Sequence, residues 1–384
     1  MKQTVITAGA LFNGSKMLRH PVVLVEDGRI VSVSSRDAAE LPRNAEVWDL
    51  PSATLGPAFL DVHIHGAAGL DVMDAAPELP SIMGRFLASR GTGAYLPTTV
   101  TAPLDRTLRA VSALAKVIAA EQAAGQARPI GIHLEGPFLS HAKRGVQPAE
   151  HLLEPDIATF DRLYDAAEGK VRLMTLAPEL RCAAELTAHA RSRGVRVSLG
   201  HSNATAAEAR KAIAAGATSA THTFNAMRPL DHREPGILGV SLTSDDLYAE
   251  LVCDGIHTAP EMVQLWWRAK GAERAILVTD AISAAGMPDG EYVLGGFQVH
   301  VADGRATARG VLAGSTLTLD RALLNFVRFT GATVAEGLRL LTANPAAMLG
   351  IREEPFGAGQ LATMVAAGAN GELQASIVNG KRVV

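Results

Sequence analysis

Cysteine is almost missing from this 384-residue chain: Cys182 and Cys253 are its only two. Their wide separation gives neither a disulfide framework nor a C-x-x-C metal pair, so both are expected to be buried thiols in a reducing, cytoplasmic setting. Aromatic residues supply only 4% of the sequence, which leaves a core of mostly aliphatic side chains. No uninterrupted apolar run is long enough to cross a bilayer, and Met1-Lys2-Gln3-Thr4 leads into a strand-like segment rather than a signal sequence. A block of like charge is missing too. With a formal net charge of -3 and the two signs interspersed, the chain lacks the basic footprint of a nucleic-acid binder. Nucleic acid and membrane are set aside as partners, and a small molecule is expected.

What is present is an ordinary globular balance, 48% hydrophobic and 20% charged. The first 55 residues carry short β-type runs, Thr4-Val5-Ile6-Thr7, Pro21 to Val25 and Arg29 to Val33, with Asp27-Gly28 as a hairpin signal. Leu361 to Val365 and Ala375 to Val378 look alike, with turns at Ala369-Asn370-Gly371 and Asn379-Gly380. Neither end has enough strands for a sheet of its own. Residues 1–55 and 350–384 are therefore expected to pair into one small β-sandwich domain, with 56–349 inserted between them.

Within the insert, short apolar strands alternate with Ala-rich helical stretches, the signature of βα units. Eight strands are expected, at 58–65, 92–99, 129–135, 171–177, 195–201, 217–222, 247–254 and 274–280. The helical stretches include 104–124, 204–215, 316–329 and 333–348, and Thr205 with Glu208 three residues on reads as a capping box. Eight repeats argue for a (β/α)8 TIM-like barrel, with a doubly wound open sheet as the alternative. A glycine-punctuated β excursion over 284–312 interrupts the last unit.

Polar residues gather at the strand ends: His65, Thr99, Glu135, His201, His222, Asp254 and Asp280. Barrel active sites sit at those ends, so the distribution favours an enzyme. In Asp61-Val62-His63-Ile64-His65 the two histidines alternate onto one strand face, where two imidazoles suit a divalent metal. Glu135, His201 and His222 form a two-histidine, one-carboxylate set of the kind that holds a catalytic ion with an open position. Asp280, after four apolar or weakly polar residues, is placed to accept a proton from an activated water and pass it to a leaving group.

Several blocks stand out along the chain: His133-Leu134-Glu135-Gly136-Pro137, Gly200-His201-Ser202, Thr221 to Met227, Arg233-Glu234-Pro235-Gly236, Asp254-Gly255-Ile256-His257, Thr279-Asp280-Ala281 and Leu312-Ala313-Gly314-Ser315. In this order they resemble the N-acetylglucosamine-6-phosphate deacetylase family of the amidohydrolase superfamily, over essentially the whole chain. The resemblance implies metal-dependent removal of an N-acetyl group from an amino-sugar phosphate, with the gluco or galacto epimer left open. It implies Glu135, His201 and His222 as ligands of the main metal and Asp280 as the catalytic acid/base. Asn225, Ala226, Asp254, His257, Leu312, Ala313 and Gly314 are then expected to contact substrate, and Arg233 to reach its phosphate across a homodimer interface. Guanidinium geometry suits that task.

Some members of the family lack the H-x-H pair; here His63 and His65 allow a second ion. One or two divalent metals are therefore expected per subunit, zinc first, with iron, manganese or cobalt fitting the same ligands. Val146 and Gln147 stand where some members carry a carbonyl-polarising histidine. Gln147 donates an N–H but carries no charge, so polarisation is expected to fall to the metal. His133 and Asp61 are read as partners that orient ligands. Trp266, Trp267 and Cys253 are read as packing, and His232 as solvated. Cyclic-amide hydrolases of the superfamily often bridge two metals with a lysine near the fourth strand's end, and Val171 to Ala177 contains none. A non-catalytic sugar-phosphate regulator would be expected to lose Asp280 or a metal ligand, and this sequence keeps them all.

Overall fold

The computed structural model describes residues 2–38, 42, 44–352 and 354–384. Eight parallel strands follow one another around a barrel: Phe59–Ile64, Thr92–Thr99, Ile132–Glu135, Val171–Leu176, Arg196–Leu199, Ser219–Ala220, Tyr248–Val252 and Ala275–Val278. The eighth closes on the first just beyond its end, where Asp280 N donates to His63 O at 2.9 Å and His65 N to Ala281 O at 2.8 Å. The expected (β/α)8 barrel is thus present. All six residues of the first strand are buried, as expected where helices cover the outer face of a closed parallel sheet.

The helices form for local reasons that the sequence carries. Ala206–Ala214 starts at Thr205 with a reciprocal capping box to Glu208. Leu319–Thr330 buries Leu319, Ala322, Leu323 and Phe326, one helical stripe, and stops at Gly331 in the left-handed region. The stretch expected as one helix over 333–348 is two, Val334–Leu341 and Ala343–Leu349, broken at Thr342. Pro345, which has no N–H, lies in the first turn of the second of these, where that N–H would have no helical partner.

Both ends of the chain enter one eight-stranded mixed sheet. Gln3–Phe12 lies at its middle, Glu46–Pro57 pairs with it in parallel, and Met364–Ala367 continues from the latter in antiparallel pairing. The sheet curls around its own core of Ile6, Val23, Leu55, Met364 and Ile377, and an edge bridge joins Arg29 to Leu361. Asp27-Gly28 and Asn379-Gly380 both make tight hairpin turns, with φ of 47° and 80° in the first and 48° and 77° in the second. A separate four-stranded antiparallel excursion spans Gly290–Leu294 to Val311–Leu312 and packs Leu294, Val299, Val301 and Ala306 against Val100, Val146 and Ile282. Cys253 is buried, but Cys182 is exposed. It lies in a left-handed turn just before the helix Ala183–Ser192 rather than inside the helix face, which corrects the expectation for that thiol. Among the described residues no helix is long and apolar enough to cross a membrane.

Candidate active site

The strands end earlier than the sequence pattern suggests, and the difference matters for the site. The fifth stops at Leu199, the sixth at Ala220 and the eighth at Val278, so His201, His222 and Asp280 each stand two residues beyond a strand. All three adopt left-handed backbone conformations, with φ of 46°, 28° and 50°. Non-glycine residues hold such angles at a cost, and they do so where surrounding structure fixes them. Here the fixing contacts are visible: Ser315 N donates to Asp280 O at 2.7 Å, and Ser140 N to His201 O at 2.9 Å.

These turns and strand ends bring six side chains to one point. Glu135, His201 and His222 offer ligand atoms within 4.8 Å of one another, as do His63, His65 and Asp280. Glu135 joins the two groups. Its Oε1 lies 3.2 Å from His201 Nε2, 3.1 Å from His222 Nε2 and 3.3 Å from His63 Nε2, while its Oε2 lies 3.4 Å from His65 Nε2. Asp280 Oδ1 is 3.2 Å from His65 Nε2. The Nε2 atoms of His63 and His65 face each other at 3.2 Å, as do those of His201 and His222.

The electrostatics call for positive charge at this centre. Burial alone would raise the pKa of Glu135, but His63 and His201 outweigh it and hold the carboxyl well below the usual range. Burial acts likewise on Asp280, and His63 and His65 lower it to about 2. For His65, burial is outweighed by hydrogen bonds to Asp280 and Glu135, which raise it to about 9. Four imidazoles whose nitrogens converge in two close pairs, against two ionised carboxylates, form a donor set that a divalent cation satisfies better than protons do. The residues present fit such an ion at either group.

Neighbouring side chains orient this set. His65 Nδ1 faces Thr98 O at 3.0 Å and His201 Nδ1 faces Lys143 O at 3.1 Å, which leaves each Nε2 for the centre. Asp61 accepts Thr279 Oγ1 at 2.6 Å and the N–H of His63 at 3.3 Å, tying the first strand to the eighth. His133 is held by Val62 O and Thr175 Oγ1, with its ring 4.7 Å from that of His63. Gln147 is buried and donates to Glu135 Oε2 at 2.8 Å, so one of its two amide hydrogens is engaged there. Val146 beside it packs under the β excursion.

The remaining expected residues lie on segments that follow the sixth, seventh and eighth strands, and one of them is set apart by its exposure. Asn225 and Ala226 lie on the turn after the sixth strand, zipped to the turn after the fifth through Ser202 N to Ala226 O. Asp254 caps its own loop through the N–H groups of Ile256 and His257, and its Oδ2 meets His257 Nδ1 at 2.7 Å. Burial would lower His257, but Asp254 outweighs it and raises its pKa. The excursion returns through Leu312, Ala313 and Gly314 directly into Ser315, whose Oγ bonds Thr279 O beside Asp280. Arg233 is that residue: it lies on an exposed loop, and its own N–H bonds Asp231. His232 is 75% exposed and Trp266 is fully buried, as expected. Glu250, a buried carboxylate in the middle of the seventh strand behind His63, is not among the residues expected from the sequence. A lone acid inside an apolar strand was the available signal.

Comparison with known proteins gives this geometry a family. The amidohydrolase family profile matches residues 54–383. The chain belongs to the amidohydrolase family. Within this family, it is 40% identical over 328 residues to an N-acetylgalactosamine-6-phosphate deacetylase of Escherichia coli O157:H7, covering 85% of this chain and 84% of the relative. It is 36% identical over 344 residues to an N-acetylglucosamine-6-phosphate deacetylase of Bacillus subtilis, covering 89% and 87%. Among solved amidohydrolases, an aspartate-to-alanine mutant of the Mycobacterium smegmatis N-acetyl-D-glucosamine-6-phosphate deacetylase, in complex with N-acetyl-D-glucosamine-6-phosphate, superposes with a TM-score of 0.92. It is 34% identical and matches 100% of both chains.

Proposed function

We propose that this amidohydrolase removes the acetyl group from N-acetylglucosamine 6-phosphate, giving acetate and glucosamine 6-phosphate. The observation that carries the reading is the convergence of Glu135, His201 and His222 beside Asp280 at the mouth of a barrel. Identities of 36% to 40% with deacetylases of amino-sugar phosphates support the substrate class. Glu135, His201 and His222 would hold the main ion, and His63, His65 and Asp280 a second, with zinc the first candidate and iron, manganese or cobalt able to replace it. A divalent ion bound there would supply Lewis acidity toward the amide carbonyl and toward a neighbouring water.

Asp280, held ionised by its histidines, takes the proton of the attacking water at a carboxylate oxygen. It then delivers that proton to the departing amine nitrogen as the carbon–nitrogen bond breaks. Asn225, Ala226, Asp254, His257, Val146, Gln147 and the Leu312 to Gly314 segment position the sugar phosphate. The family resemblance implies a homodimer in which Arg233, on its exposed loop, reaches the phosphate held by the other copy. Two free cysteines, one of them exposed, support a cytoplasmic setting. The contributions of both chain ends to one curled sheet support a division at about residues 55 and 350 into a β-sandwich domain and the barrel.

Acetate release from N-acetylglucosamine 6-phosphate, its galacto epimer and the unphosphorylated sugar, with metals quantified, tests the reading. Turnover of the gluco phosphate that is lost on chelation and restored by a divalent metal is expected. Faster turnover of the galacto epimer would shift the substrate to the second reading, which the 40% identical Escherichia coli relative favours. No turnover of any of the three by metal-replete protein would overturn the deacetylase reading.

A further inference from the structure

Glu250 has no part in the reaction as described, yet it is fully buried within the barrel on the strand Tyr248–Val252. Its Oε2 lies 3.5 Å from His63 Nδ1, and its Oε1 has no hydrogen-bond partner among the described residues. On the other side of the same imidazole, His63 Nε2 faces His65 Nε2 at 3.2 Å and Glu135 Oε1 at 3.3 Å. The ring therefore stands between Glu250 and the centre of the site.

His65 and His201 are braced by backbone carbonyls, which fix a tautomer without adding net charge. His63 is braced by a carboxylate, which does both. A buried carboxylate without a full set of partners is costly unless opposite charge lies close by. That opposite charge comes from the imidazole of His63 itself when it is protonated, and from a cation on the far side of the ring when the imidazole is neutral.

We infer that Glu250 is a positioning residue for a second divalent cation: it holds His63 with its proton on Nδ1, turns the Nε2 lone pair toward the His63, His65 and Asp280 group, and adds the negative charge that retains an ion there. The inference rests on the metal-dependent reading above and adds to it the residue that governs occupancy of the second position.

The test is metal retention. Wild-type protein and Glu250→Gln, which keeps the shape and removes the charge, are loaded with zinc, dialysed against graded chelator and assayed for metal per chain. The wild type is expected to release two ions in two steps. In Glu250→Gln the weaker step is expected to move to about 10–100-fold lower chelator, with the tighter step unmoved and the metal-free Tm not lowered. In a His63→Asn background the same substitution is expected to move nothing further. Should Glu250→Gln not fold, Glu250→Asp, with the charge retained at shorter reach, is expected to show a smaller shift of the weaker step. Unmoved steps in whichever variant folds, or a wild type that holds a single ion, overturn the inference and leave the deacetylase reading standing. A lowered metal-free Tm with both steps unmoved assigns Glu250 to packing alone and also overturns it. A wild type that binds no ion overturns both readings.

Discussion

Gln147 donates its side-chain amide to Glu135 Oε2 at 2.8 Å, while its own oxygen accepts the backbone N–H of Thr101 at 2.8 Å. The amide is thus a clamp on the one carboxylate that faces His63, His65, His201 and His222. Gln147→Leu would leave a buried N–H and a carboxylate oxygen without this partner. Metal retention is expected to weaken by about 10–100-fold, as for other groups that orient a ligand. Dialysis against chelator measures this, and circular dichroism confirms that the fold is kept. Unchanged retention would show that Glu135 holds its orientation without Gln147.

Asp280 is the group expected to move the proton. Asp280→Asn keeps the shape and removes the basic oxygen, so kcat is expected to fall by about 10²–10⁴-fold. KM is expected to change far less. Steady-state kinetics on the phosphorylated substrate reads both, and a kcat within about threefold of wild type would remove Asp280 from this role.

Gly314 has φ +62°, and a Cβ placed there would stand 2.5 Å from Ile282 Cγ2 and 2.9 Å from Asp280 O. Any side chain must push the returning excursion away from the Asp280 to Ile282 segment that follows the eighth strand. Since displacements of about 1 Å cost roughly 10²-fold in aligned sites, Gly314→Ala is expected to lower kcat/KM by about 10–100-fold with the metal content unchanged. Wild-type kinetics would place this segment away from the substrate.

Lys270 provides a pH signature remote from the chemistry. Its Nζ donates to Ser244 O at 2.6 Å, and burial lowers its pKa from 10.5 to about 8. The cost of burying the ammonium is fully present below about pH 8 and is gone above about pH 10.5. Between these values the unfolded chain binds more protons than the folded one, so this group's contribution to stability rises with pH. Lys270→Met removes this titrating group. Denaturant unfolding of both proteins across that window is expected to show the difference moving in favour of the wild type as pH increases. A difference that stays flat would mean that Lys270 keeps an ordinary pKa.

The barrel was legible because its signals are local. Apolar runs at strand length, Ala-rich helical stretches and the Thr205 to Glu208 box each depend on a few adjacent residues. The hairpin at Asp27-Gly28 was legible for the same reason, since tight turns select residues that tolerate positive φ. The break at Thr342 was missed because apolar spacing continues across it on both sides.

By itself the sequence determined the kind of chemistry available: histidines and carboxylates at the ends of successive strands, and an ordered set of blocks shared with one enzyme family. Only the tertiary structure decided how those groups meet. Glu135 comes to face four histidines drawn from three other places in the chain because closure of the barrel converges its strand ends. Glu250, whose strand carries no other acid, gains significance only because the ring of His63 stands before it. Contacts between residues 187 positions apart are set by packing around a closed sheet, and no local pattern encodes them.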